Sequence, residues 1–153
     1  MRRVFPLLVT GALALAGCSQ KVGIEIGETV PDVRMQTLDG KLVDLSSFRG
    51  KPVLVDFWAT WCGPCRQSLP VIEGMHEMYG PKGLQVLAVT SDDGPDKVRA
   101  FAKEAKLDLP WHLDRTGIVA SKLGVTGLPT TILLDKDGRI VMRKSGVSLE
   151  SLK

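Results

Sequence analysis

Residues 53–65 read VLVDFWATWCGPC, and this stretch constrains the fold more than any other part of the chain. Val53–Trp58 is an apolar run of buried-strand length, broken by a single acid, Asp56. Three residues later Cys62 and Cys65 bracket Gly63-Pro64. From Cys62 to Tyr79 the spacing is helical, with Leu69, Ile72, Met75 and Tyr79 on one side. Pro70 removes a backbone donor in mid-helix and is expected to kink it. The sequence therefore runs from a buried strand, through a short loop, into a helix whose first turn carries two cysteines. Such a pair can clamp the fold, supply half of a metal site, or exchange electrons as a dithiol.

The rest of the chain supplies the frame. "VRMQTLDGKLVDL" (33–45) alternates on either side of Asp39-Gly40, a hairpin signal. "LQVLAVTS" (84–91) reads as another buried strand, and residues 95–105 as a charged amphipathic helix with Val98, Phe101, Ala102 and Ala105 inward. Residues 116–123 form a shorter helical candidate. "TTILLD" (130–135), a Lys136-Asp137-Gly138 turn and "RIVMRKS" (139–145) make a second hairpin, and a last helix is expected from Ser148. This order implies an α/β fold: a mixed sheet flanked by helices.

The first residues, MRRVFPLLVTGALALAGCSQ, read as an export signal: Arg2 and Arg3 are the positive region and residues 4–16 the apolar run. Leu15-Ala16-Gly17-Cys18 resembles the lipobox of bacterial lipoproteins, in which the cysteine is acylated and becomes the N-terminus. That resemblance implies a signal peptide over 1–17, a lipidated tether over 18–29 and a domain over 30–153. The membrane is then a partner through the lipid on Cys18, and the domain is extracytoplasmic and faces the periplasm. Ser19 after the cysteine favours the outer membrane where the cell has one. Without Arg2 and Arg3 the balance is 18 basic against 17 acidic residues, which offers no footprint for nucleic acid. With Cys18 acylated, only Cys62 and Cys65 remain, in an oxidising compartment.

A cysteine at a helix start lies beside unpaired backbone N–H groups and the positive end of the helix dipole, which favours its thiolate. Cys62 is therefore expected to attack and Cys65, one turn further in, to resolve. A c-type haem site needs His after the second cysteine, and position 66 is Arg. Zinc needs four ligands, and His76 and His112 lack partner spacing; each reads as a surface or boundary residue. A disulfide closing so short a loop stabilises weakly. Redox exchange is left, with no metal or organic cofactor. A lipid-anchored Cu(I) metallochaperone using the two thiolates is the alternative, since thiolates suit Cu(I).

The segment VDFWATWCGPC is similar to the active-site segment of the thioredoxin superfamily, and the export signal, early hairpin and long 92–115 stretch resemble its TlpA/ResA-like branch of membrane-tethered thiol-disulfide oxidoreductases. The resemblance runs from about Val30 to Gly146. It implies a thioredoxin-like fold with an N-terminal β-hairpin and an insertion before a cis-proline strand. It matches Asp56 to that family's buried acid, Pro70 to its helix kink, and Pro129 in "GVTGLPTTILLD" (124–135) to its cis-proline. Burial raises the pKa of a carboxylic acid, so Asp56 is suited to hold or take a proton. The family role is deprotonation of Cys65, directly or through water. The Leu128 backbone, before Pro129, would pair with an extended substrate segment. Trp61 is expected as a partly exposed substrate contact, with Gly63 and Pro64 beside it. Trp58, Phe101 and Trp111 read as core.

Two departures stand out: no Lys lies in residues 84–91 to accompany the acid, and Ser68 stands where several tethered members have Glu. The Gly-Pro dipeptide is that of reducing thioredoxins, at about −270 mV against about −120 mV for a strong oxidant of this class. The expected partners are protein disulfides, such as apocytochromes c or redox assembly factors, with a membrane thiol transporter as electron donor.

Overall fold

The computed structural model describes residues 24–91 and 94–146. The chain forms strands β1 (Arg34–Thr37), β2 (Leu42–Asp44) and β3 (Val53–Trp58), helix α1 (Gly63–Tyr79) and strand β4 (Gln85–Thr90). Helix α2 (Pro95–Ala105), strand β5 (Trp111–Leu113), helix α3 (Ile118–Lys122) and strands β6 (Thr130–Leu134) and β7 (Ile140–Ser145) follow. The strands make one sheet of seven in the order β2-β1-β5-β4-β3-β6-β7. It is mixed: β3, β4 and β5 are parallel, whereas β1 with β2 and β5, and β6 with β3 and β7, are antiparallel. This is a thioredoxin-like α/β fold, with the N-terminal hairpin turning at Gly40, whose φ of +86° suits glycine.

Central strand β3 is buried along its whole length, as its apolar run requires. Its side chains alternate between two cores. Val53, Val55 and Phe57 pack with Leu87, Val89, Ile132 and Leu134, covered by Val119 of α3. Leu54 and Trp58 pack on the other face with Cys65, Leu69 and Ile72 of α1 and Val98 and Phe101 of α2. Trp58 meets the rings of Phe101 and Trp111 at 4.9 Å each, so the aromatic residues expected as core form one cluster. The insertion ahead of the cis-proline strand is thereby fastened to the sheet through α2 and β5.

Several expectations need correction. Tyr79 is exposed, because the last turn of α1 runs past the core, where Met75 is the last helix residue to pack; its ring lies under the Lys82 ammonium instead. Ala105 is exposed as well, at the end of a helix that stops at Lys106 in the left-handed region. His112 is buried, not superficial: β5 lies inside the sheet between β4 and β1, and Nδ1 of His112 bonds the Pro110 carbonyl oxygen at 2.8 Å. Burial lowers its pKa.

The described part of the expected 18–29 tether is bound to the domain. Gly27 donates to Ile140, Ile140 to Glu28, Arg143 to the Ile24 carbonyl, and Ile24 packs against the core. The signal peptide, Cys18 and the helix expected from Ser148 lie outside the described residues. No helix among the described residues is long and apolar enough to cross a membrane.

Candidate active site

The site is built where β3 ends and α1 begins. Cys62 is the N-cap residue of α1, with extended backbone, and its Sγ accepts a hydrogen bond from the Cys65 backbone N–H at 3.2 Å. A side-chain acceptor there satisfies one of the free N–H groups of the first turn. Pro64 stands in that turn, where its lack of an N–H costs nothing. Cys62 and Cys65 form a disulfide, with Cα atoms 5.2 Å apart. The two sulfurs are not equivalent: Cys62 keeps 6% of its surface exposed and Cys65 none. An incoming group therefore meets Cys62 first. Gly63 and Pro64 are exposed, and a Cβ built on Gly63 would project into open space. Ser68 is buried and donates to the Cys65 carbonyl oxygen at 3.0 Å.

Asp56 lies on the face of β3 that α1 covers, two residues from both Leu54 and Trp58. It is fully buried. Burial pushes its pKa up from 3.8 to about 7, partly offset by a hydrogen bond that the Thr131 hydroxyl donates to Oδ1 at 2.7 Å. The other oxygen, Oδ2, has no hydrogen-bond partner among the described residues. A carboxyl group in that position can take a proton near neutral pH.

The Leu128–Pro129 peptide bond is cis, and Pro129 is buried. Its carbonyl accepts from Gly146, which fixes the loop against the end of β7. The amide and carbonyl of Leu128 make no backbone hydrogen bond among the described residues. The Leu128 side chain packs against the cluster that contains both cysteines. Trp61 is 73% exposed. Trp61 and Leu128 line one cleft of about 100 Å³ together with Phe57, Val89, Ser91 and Ala120.

A geometry of this kind serves thiol exchange, and the comparisons with known proteins agree. The Redoxin family model matches residues 25–152. The chain belongs to the Redoxin family. Within it, this Redoxin protein is 32% identical to the thiol-disulfide oxidoreductase ResA of Bacillus cereus, over 95% of this chain and 86% of that one. A Chlorobium tepidum structure assigned as a thiol:disulfide interchange protein of the DsbE type matches at a TM-score of 0.78 and 33% identity, covering 86% of this chain and 92% of its own. The exposed lipoprotein thioredoxin of Streptococcus pneumoniae matches at a TM-score of 0.66 and 30% identity, covering 80% and 98%. This Redoxin protein is a thiol-disulfide oxidoreductase of the thioredoxin superfamily.

The Redoxin fold brings Trp61, Cys62, Cys65 and Leu128 together around one end of the sheet, while Asp56 is buried on β3 between Leu54 and Trp58, which pack in the same cluster as the two cysteines. Sequence reasoning missed Thr131, Ser91 and Ala120. Thr131 carries no motif of its own; only the register that sets it opposite Asp56 identifies it. Among the described residues no cation acts on Asp56 in the way that a neighbouring Lys would, and burial raises its pKa. Among the described residues, no group of three or more His, Cys, Asp or Glu is placed to hold a metal ion.

Proposed function

We propose that the protein is a lipid-anchored, extracytoplasmic reductant of protein disulfides. The observation that supports the reading most is the inequality of the two sulfurs: Cys62 caps α1 and reaches the surface, while Cys65 is sealed beneath it. In the reduced protein the Cys62 thiolate attacks one sulfur of a partner's disulfide. The partner's other sulfur leaves as a thiolate and takes a proton from solvent. Asp56 then accepts the Cys65 proton, and the Cys65 sulfur attacks Cys62. The bond between Cys62 and the partner breaks, the Cys62–Cys65 disulfide forms, and the partner departs with two electrons and both thiols.

No metal or organic cofactor enters this cycle. A membrane thiol transporter returns the electrons. The Leu128 backbone, which makes no backbone hydrogen bond among the described residues, pairs with an extended substrate segment, and Trp61, Gly63, Pro64 and Pro129 border it. The Gly-Pro dipeptide favours donation over oxidation. Apocytochromes c awaiting haem and oxidised assembly proteins are the substrate class. The Leu15–Cys18 segment, and a relative that is itself an exposed lipoprotein, support anchoring through Cys18, in the outer membrane where the cell has one.

The test is a covalent trap. Cys65→Ser in the full chain is expected to accumulate mixed disulfides with exported proteins, released by dithiothreitol, whereas Cys62→Ser captures nothing. Cys18→Ser releases the same adducts from the membrane fraction. An absence of adducts with Cys65→Ser, joined to stoichiometric Cu(I) uptake by the reduced protein, would point to a copper carrier instead.

A further inference from the structure

Antiparallel pairing of β3 with β6 sets Thr131 directly opposite Asp56, on the same face of the sheet. The hydroxyl donates to Oδ1 at 2.7 Å, and both residues are buried. This is the only hydrogen bond the Asp56 carboxyl makes among the described residues, and it leaves Oδ2 bare in an apolar cluster. β6 begins immediately after the cis Leu128–Pro129 bond, so the loop that borders the dithiol also sets where the hydroxyl stands.

We propose that Thr131 is a positioning residue for thiol exchange: its hydroxyl pins Oδ1 of Asp56, so that Oδ2 is the oxygen that takes and returns the proton. A threonine hydroxyl has a single hydrogen to give. Committed to Oδ1, it fixes the rotation of the carboxyl and stabilises the ionised form, in which Oδ2 can act as a base. In the resolving step the Cys65 proton passes to Oδ2, the sulfur–sulfur bond moves from Cys62–partner to Cys62–Cys65, and the proton later leaves to solvent. The inference rests on the proposed role of Asp56 as that base.

Among the described residues, burial and the Thr131 hydroxyl govern the titration of Asp56, with no charged partner beside them. β4 presents Ala88, and α1 presents Cys65, Leu69 and Ile72. The titratable members of this buried cluster are Cys62 and Cys65. Lys144 on β7 is the next residue in the row, on the far side of Thr131 from Asp56. Arg66 lies at the surface over the Phe101 ring, near Glu104.

The experiment reads Asp56 directly. Carboxyl ¹³C chemical shifts of the reduced full chain are followed against pH for the parent, Thr131→Val and Thr131→Ser, beside the pH profile of disulfide reduction. A hydrogen bond to a charged group is worth about one pH unit or more. Thr131→Val is therefore expected to move the Asp56 midpoint upward by about that much and to slow exchange about tenfold on the acid side of the midpoint. Thr131→Ser keeps the hydroxyl and both parental values. Thr131→Ala gives the same readout should the valine variant fail to fold. An identical Asp56 midpoint in parent, Val and Ala variants overturns the proposal. A midpoint that moves while the rate profile stays fixed supports the pinning by Thr131 and overturns Asp56 as the base, so the two ideas fail separately.

Discussion

At position 56 a carboxyl group occupies a place where its strand neighbours are Val55 and Phe57 and every other side chain of the strand is apolar. It lowers stability there, and pH controls by how much. In the folded chain it holds its proton up to about pH 7, whereas an exposed carboxyl has lost it near 3.8. Between those values the folded state binds more protons than the unfolded one, so stability falls as pH rises through that window and the penalty is complete above it. A rise from 3.8 to about 7 corresponds to on the order of 4 kcal/mol as an upper bound. Asp56→Asn is therefore expected to gain on the parent between pH 4 and pH 8, whatever their difference at pH 4. Urea midpoints at the two pH values measure that gain, and equal gaps at both would contradict the burial argument. The residue was legible in the sequence because an acid inside an apolar strand run is conspicuous. Its partner Thr131 was not, because hydroxyls in strands are common and cross-strand register is not written locally.

Among the elements, those with long apolar periods were the most readable. β3, β4, α1 and α2 fall where the pattern puts them, because six to seventeen residues carry a period visibly, and both hairpins do because a glycine-bearing turn marks each of them. Strand β5 did not, since three residues between Pro110 and Asp114 show no alternation and pairing on both sides defines it. Its burial of His112 was hidden for the same reason. The helix ends were placed correctly but the burial of their last residues, Tyr79 and Ala105, was misjudged, because there the spacing continues but the core does not.

The β6–β7 turn holds a further consequence. Gly138 has φ of +71°, and a Cβ there would lie 0.9 Å from Nη1 of Arg49, which donates to the Asp137 carbonyl at 2.6 Å. Gly138→Ala is expected to cost about 2 kcal/mol or more, from left-handed strain and the displaced guanidinium. In an Arg49→Ala background only the strain remains, so the cost of Gly138→Ala should shrink. Thermal unfolding of the four members of the cycle tests this; strict additivity would mean that Arg49 does not pack against the turn.

Across the whole molecule, the site is the place where two cores meet. Leu128 packs against both of them, α1 begins there, and the cis-proline loop closes over that end of the sheet. The sequence carried the chemistry of the site in Cys62–Cys65 and its class in the surrounding strand and helix. It did not carry the cleft shared by Trp61, Ala120 and Leu128, whose members are distant in the chain and meet only in the assembled sheet. The same assembly makes the two sulfurs unequal, by giving Cys62 the end of a helix and Cys65 its covered first turn. The most direct test is the pH dependence of alkylation of each thiol in the reduced protein, with Cys65→Ser and Cys62→Ser isolating one at a time. Cys62 is expected to ionise well below the free-thiol value of about 8.5 and to react readily, with Cys65 slower and titrating higher. A Cys62 that ionises at or above about 8.5, or that reacts no faster than Cys65, would contradict the account.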